Sequence, residues 1–178
     1  LELRNARRLM LPGLKESPIV ARFNLKRAIL EATVVMEGEE FQIANTHLSA
    51  FSNGDGTLPR QMEIIAQWME KGGHRLIGGD FNALPPADTP SRLGEYAIEY
   101  SDADPPLKRM QGFNSAIPWD QMLQEQNRTY LPPGEETPQR MLDYLFATPS
   151  LKIVKSEVLS LPAWISDHLP VLATFQIT

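Results

Sequence analysis

The 178-residue chain contains no cysteine. That rules out a disulfide framework and thiolate-bound metal, so a metal here takes oxygen or imidazole ligands. Histidine is scarce as well, with only His47, His74 and His168. No uninterrupted apolar run approaches the roughly 18 residues of a membrane span, and no cleavable signal is visible. Nor is there a surplus of positive charge: 17 Lys and Arg against 22 Asp and Glu give a formal net charge of −5. This balance does not favour a broad basic surface gripping long nucleic acid, a mode that depends on many phosphate contacts. No internal repeat or low-complexity tract appears. The 42% hydrophobic and 22% charged content is ordinary for a globular protein, and the length suits one domain spanning residues 1–178.

What is present is polar chemistry placed at the ends of apolar runs. The stretch Leu76-Ile77-Gly78-Gly79-Asp80-Phe81-Asn82 reads as a buried strand entering an active-site loop, with strand alternation aiming Asp80 and Asn82 the same way. Three further stretches share this character: Asn45-Thr46-His47-Leu48, Leu142-Asp143-Tyr144-Leu145-Phe146, and Ser166-Asp167-His168. An Asp-x-Asn pair alone is ordinary turn chemistry, and a lone histidine at a strand end is usually structural. Four such motifs in this order read as a site.

The surrounding pattern supplies the scaffold. Residues 28–36 alternate on a β-branched background, Glu37-Gly38 makes a turn, and residues 41–46 return as the partner strand with His47 at its exit. Residues 9–18 read as a loop and 19–23 as a short strand. Residues 49–57 read as a polar loop with Thr57 capping a helix, in which Met62, Ile65, Trp68 and Met69 recur at core spacing before Gly72-Gly73 ends it. His74 then falls at the end of that helix, without chemistry. Ten of the fifteen prolines lie in residues 85–149, read as loops with short helices over 91–96 and 118–126. Strands are expected over 141–147, 151–159 and 171–177.

Together the four motifs resemble the endonuclease/exonuclease/phosphatase superfamily of metal-dependent phosphoesterases, most closely the bacterial members that carry Thr-His-Leu and Gly-Asp-Phe-Asn. The resemblance runs from Arg27 to the end. It implies an α/β fold, a four-layer α-β-β-α sandwich of the DNase-like type with the site at one end of the sheets, and a proline-rich connection that shapes substrate choice. It implies that Asp80 orients the attacking water, that Asn82 holds water or a phosphate oxygen through its amide, and that His47 binds phosphate or donates a proton. Asp143 would fix the tautomer of His168, which acts as general base or as a phosphate-contacting acid. Asp167 would be the metal-side carboxylate, with Asp80 beside it, pointing away from His168 as adjacent strand residues do. Asn45 would support His47 or touch phosphate.

The implied activity is hydrolysis of a phosphodiester or phosphomonoester by direct attack of water, with Mg²⁺ or Mn²⁺ suited to the hard oxygen donors. In relatives a strand bearing asparagine and a later metal-binding glutamate precede the Thr-His-Leu motif. Only 46 residues precede His47 here, and the chain opens at Leu1, so the N-terminal part of the domain is expected to be missing. Glu2, Glu16 and Glu31 are the candidate stand-ins, and none has the family context. Two other readings stay open: a non-catalytic binding domain that retains the fold, and a DNA-processing nuclease, which needs a basic rim from Arg60, Arg75, Arg92, Lys108 and Arg109.

Overall fold

Two nine-residue strands joined by Glu37-Gly38 form the first hairpin of the sheet. Both turn residues take positive φ (55° and 88°), the geometry of a two-residue hairpin turn, and they link β2 (Ala28–Met36) to β3 (Glu39–His47) in a continuous antiparallel ladder. The computed structural model describes all residues except 1, 15, 16, 18, 20, 21, 23, 24 and 163. The strand expected over 19–23 and the candidate Glu16 therefore lie mostly outside the described residues.

From β3 the chain crosses over through α1 (Thr57–Met69) to β4 (His74–Asp80), which pairs parallel with β3, as a crossover of this length allows. β6 (Asp143–Ala147) lies antiparallel on the far side of β4, followed by the two-residue β5 (Asn114–Ser115). With β1 (Glu2–Met10) on the outer edge of β2, the order of this six-stranded mixed sheet is β1-β2-β3-β4-β6-β5. β7 (Leu151–Val158) and β8 (Val171–Ile177) form a separate antiparallel pair.

Strand alternation sends apolar side chains to both faces of the large sheet. On one face α1 buries Met62, Ile65, Trp68 and Met69 with Ile29, Ile77, Phe81, Tyr144 and Phe146. On the other, Phe41, Ile43 and Leu76 meet Leu151 and Phe175 of the smaller sheet. The architecture is thus the expected α/β sandwich, and the described residues supply helix, large sheet and small sheet as its layers. Gly79 of β4 is required by close approach to backbone, whereas at Gly78 an added Cβ would meet only the movable end of a side chain. A Cβ at Gly79 (φ 143°) would sit 1.8 Å from the Thr46 carbonyl oxygen, and one at Gly78 would meet Leu145 at 2.5 Å.

Several local expectations are corrected. β1 occupies the basic stretch and extends to Met10, where a loop was expected from residue 9. Nearly all of its side chains are exposed, as suits a charged edge strand, so no alternation announced it. Gly56 rather than Thr57 is the helix N-cap. Asp55 takes the Thr57 N–H (2.6 Å) and hydroxyl (2.8 Å), which places Thr57 inside the helix. His74 opens β4 instead of closing α1, with Nδ1 3.0 Å from the Ser150 hydroxyl. The short helices of the proline-rich region are 3₁₀ turns over Pro90–Tyr100, Pro106–Met110 and Glu125–Asn127. Pro90 and Pro106 stand in the first turn of two of them, and Gly94 at φ 58° breaks the longest.

Candidate active site

The sheet brings three of the motif residues into line. His47 ends β3, Asp80 ends β4 and Asp143 begins β6. In the ladder His47 pairs with Asp80 and Asp80 pairs with Asp143, so the three side chains leave adjacent strands at one edge of the sheet. Asp80 is thus the last strand residue rather than part of a loop. The Leu48 N–H donates to its carbonyl, and the Phe81 N–H donates to that of Leu142, both at 2.9 Å.

Asn82 reaches the same place by a different route from strand alternation. Its φ of 47° turns the backbone back, a conformation asparagine tolerates better than most residues. Its N–H donates to Asp80 Oδ1 (2.9 Å), and its side-chain NH₂ donates to Asp80 Oδ2 (3.2 Å) and to the Leu48 carbonyl (3.1 Å). With both amide hydrogens engaged, the group Asn82 offers to a ligand is its carbonyl oxygen.

Asp80 Oδ2 lies between two imidazoles, 3.4 Å from His47 Nε2 and 4.0 Å from His168 Nε2. The other ring nitrogen of His168 is 2.7 Å from Asp143 Oδ2. Burial pushes the Asp80 carboxyl up to about 6, and nearby Asp143 adds to this against the opposing Asn82 N–H, His168 and Arg27. The Asp143 hydrogen bond raises the pKa of His168 above its ordinary value. Burial, then the charges of Arg27 and His168, lower that of His47. The two histidines flanking Asp80 are therefore driven apart, His168 toward imidazolium and His47 toward the neutral ring.

His47, Asp80, Asn82 and His168 line a cavity of about 470 Å³ together with Asp167, Arg27 and Arg140, while Asp143 stands behind His168 and lines a neighbouring one. Asp167 lies in a bend and His168 in an isolated bridge to Tyr130, so strand alternation does not govern them and both face this cavity, contrary to the expected opposition. β6 lies between β4 and β5 in the large sheet and packs across the sandwich against β8, which pairs with β7. Asn45 donates to the Gly78 carbonyl (3.3 Å) and lines a separate cavity, without a hydrogen bond to His47 among the described residues.

The outer wall comes from the loop after β3 and from the proline-rich connection: Phe51, Tyr96, Glu99, Tyr100, Tyr130, Pro132 and Pro133. Arg140 is almost wholly buried, its guanidinium 4.8 Å from the Tyr96 ring centre and 5.4 Å from that of Tyr130. Its Nη1 donates to the Tyr100 hydroxyl (3.1 Å). Arg27 and Arg140 went unnoticed in the sequence because neither belongs to a motif, although Arg140 stands three residues before Asp143. The arginines and lysine considered for a basic rim are engaged elsewhere: Arg92 with Asp88, Lys108 with Asp104, Arg109 with Glu63, Arg60 with Thr57, and Arg75 over the Trp68 ring.

Of the carboxylates that line the cavity among the described residues, Glu99 is paired with Arg140, which leaves Asp80 and Asp167 for a divalent ion. No cluster of three or more His, Asp or Glu side chains that could hold a metal occurs among the described residues. Hard oxygens in this number fit Mg²⁺ in kind, since that ion is commonly held by one or two carboxylates with water and substrate phosphate completing its shell. Neither described stand-in glutamate contributes. Glu31 is buried beneath α1, accepting from Trp68 Nε1 and Arg7 Nε, and Glu2 pairs with Arg4 on the edge strand. No helix among the described residues is long and apolar enough to cross a membrane.

Solved structures share this architecture. An endonuclease/exonuclease/phosphatase from Beutenbergia cavernae superposes with a TM-score of 0.69 at 20% identity, over 97% of this chain and 44% of that one. One from Bacteroides vulgatus gives 0.68 at 15% identity, over 99% and 66%. The human Nocturnin catalytic domain with bound sulfate anion gives 0.62 at 20% identity, over 99% and 60%. The chain thus spans about half to two thirds of the length of these structures. No curated protein sequence matches it. The Endonuclease/Exonuclease/phosphatase family matches residues 22–168, a span that contains every one of the four motifs, and the chain belongs to that family.

Proposed function

We propose that this chain carries the acid–base residues of a divalent-metal-dependent phosphoesterase that hydrolyses a phosphodiester or phosphomonoester by direct attack of water. The observation that carries the reading is Asp80 Oδ2 set between His47 Nε2 and His168 Nε2, with Asp143 on the far nitrogen of His168. Hydrolysis needs a group to take a proton from the attacking water and donors for the charge that builds on the phosphate oxygens.

Asp80, with a proton affinity close to neutral pH, orients the water and accepts its proton. His168 donates from Nε2 to a phosphate oxygen while Asp143 holds Nδ1–H, so the ring's tautomer and charge are both set. His47, kept neutral, donates a hydrogen bond from the opposite side of Asp80. Arg27 supplies fixed positive charge in the same cavity, where Arg140 is paired with Glu99 (3.4 Å). Mg²⁺ or Mn²⁺ held by Asp167 and Asp80 would screen the phosphate's charge and stabilise the leaving oxygen. The sulfate of the Nocturnin domain is an anion of phosphate's shape bound by a protein of the same fold. The cavity exceeds the size of a phosphate group, and its aromatic wall leaves room for the alcohol portion of the ester.

The test is hydrolysis of bis(p-nitrophenyl) phosphate and p-nitrophenyl phosphate by the protein in its natural length, with Mg²⁺ or with chelator, beside a His168→Ala variant. Metal-dependent release of nitrophenol that the substitution lowers at least about a hundredfold supports the reading. No turnover of these esters, or of nucleic-acid, lipid and inositol phosphates, would instead leave a binding domain.

A further inference from the structure

The Asp143–His168 contact joins two segments that are not sheet neighbours, since β6 pairs with β4 and β5 while His168 lies in the connection before β8. Residues 129–131 run between them. On one side, the N–H groups of Thr129 and Tyr130 both donate to the Arg140 carbonyl (2.8 and 2.9 Å), and the Gln139 N–H donates to that of Tyr130 (2.8 Å). On the other, the Leu169 N–H donates to the Thr129 carbonyl (2.7 Å), and the Leu131 N–H donates to the Asp167 carbonyl (2.8 Å). These last two bonds hold the residues immediately before and after His168. The Tyr130 ring also lies against the imidazole, centres 4.9 Å apart.

The start of β6 is held differently, by a side chain. Thr129 is fully buried, and its hydroxyl oxygen accepts from the backbone N–H of Leu142 (3.0 Å) and of Asp143 (3.1 Å). A hydroxyl oxygen has two lone pairs, so both are filled. Without that oxygen, two backbone donors would lose their partner, each at a cost that favours a shift of the strand end over staying in place.

We propose that Thr129 is the positioning residue of the Asp143–His168 pair: one residue fixes Asp143 through its hydroxyl and the His168 loop through its backbone, and so sets the separation between carboxylate and imidazole. What the pair does in catalysis rests on the phosphoesterase reading above; how the pair is held does not. Shifts well under an ångström at a proton-handling contact are costly to turnover and need not alter binding.

The experiment compares Thr129→Ser, Thr129→Cys and Thr129→Val in the natural-length protein. Ser keeps a strong acceptor, Cys a weak one, and Val matches threonine's shape with none. An acceptor role orders kcat as Thr close to Ser, then Cys, then Val, with Val lowered about tenfold or more and KM nearly unchanged. A packing role gives the reverse order, with Val closest to the parent, and overturns the proposal. Combining Thr129→Val with Asp143→Asn gives no further loss beyond Asp143→Asn if Thr129 acts through Asp143; additive losses overturn it.

A second readout needs no turnover. The low-field proton resonance of His168 Nδ1–H, assigned by its loss in His168→Ala, is retained in Ser and moves or broadens in Cys and Val. An identical resonance in all three variants overturns the proposal. Should Val fail to fold, the comparison of Ser with Cys decides both readouts. Should even the parent hydrolyse no ester, the phosphoesterase reading falls, and the proton resonance alone decides the role of Thr129.

Discussion

Asp80 and Asp143 face each other as register partners on β4 and β6, yet they meet the same imidazole through opposite nitrogens: Asp143 lies 2.7 Å from His168 Nδ1, and Asp80 lies 4.0 Å from Nε2. The tighter bond orients the ring, and Nε2, beyond hydrogen-bond reach of Asp80, is left to meet a phosphate oxygen or water. The same juxtaposition puts two carboxyl groups at one sheet edge, where Asp143 adds to the effect of burial in raising the proton affinity of Asp80.

That elevation has a consequence for stability. The folded-state pKa of Asp80, about 6, exceeds the ordinary aspartate value of 3.8, so its contribution is fully favourable below the lower value and is lost as pH rises through the upper one. In the presence of chelator, Asp80→Asn should therefore melt at a higher temperature than the parent at pH 8, by an amount worth up to roughly 3 kcal/mol. The difference should shrink as pH falls toward 4. Thermal unfolding at the two pH values checks it, and a variant less stable than the parent at pH 8 would contradict the assigned burial cost.

Metal dependence should follow donor hardness. Activity lost to chelator should return with Mg²⁺ or Mn²⁺, and Asp167→Asn should raise the Mg²⁺ concentration needed for half-maximal rate by about tenfold or more. A metal titration of rate checks this. An unchanged requirement would remove Asp167 from the ion's neighbourhood.

Gly79→Ala should be severely destabilising, because its Cβ would fall 1.8 Å from a backbone oxygen that the β3–β4 ladder holds in place. A loss of at least about 3 kcal/mol is expected from such overpacking at a strained φ. Gly112→Ala, where nothing lies within 4 Å of the added Cβ, should be nearly neutral. Denaturant unfolding of the pair measures the contrast, and similar midpoints would contradict it.

Glu31→Gln should separate structure from chemistry. Glu31 is buried, accepting from Trp68 and Arg7 away from the cavity, so the substitution should cost about 1–3 kcal/mol of stability. It should leave kcat and the Mg²⁺ requirement within about twofold of the parent, since no contact in the site depends on it. Unfolding and rate measurements on one preparation check both, and a raised Mg²⁺ requirement would return Glu31 to the list of ligands.

Where a residue's position follows from strand periodicity, the sequence was a sound guide. The runs ending at His47 and Asp80 and the run beginning at Asp143 are apolar enough to be read as strands, and their ends coincide at one edge of the sheet. Positions set by backbone exceptions or by long-range pairing were not legible. Asn82 reaches Asp80 through a positive φ, not through alternation, and Asp167 shares a cavity with His168 because the chain bends there. Thr129 and Arg140 lie in a proline-rich stretch with no period, and only tertiary pairing brings them to the site. β1 was missed for the opposite reason: an edge strand that buries almost nothing has no apolar face to display.

The alignment of His47, Asp80 and Asp143 on neighbouring strands also divides the labour of the molecule. Their spacing is the interstrand repeat of the sheet, about 4.8 Å, which substitutions in the loops do not alter. Phe51, Tyr96, Tyr100, Pro132 and Pro133, by contrast, stand on connections that tolerate insertion and exchange. Transplanting those connections between relatives is thus a route to new selectivity, with the reacting groups kept at their native interval throughout.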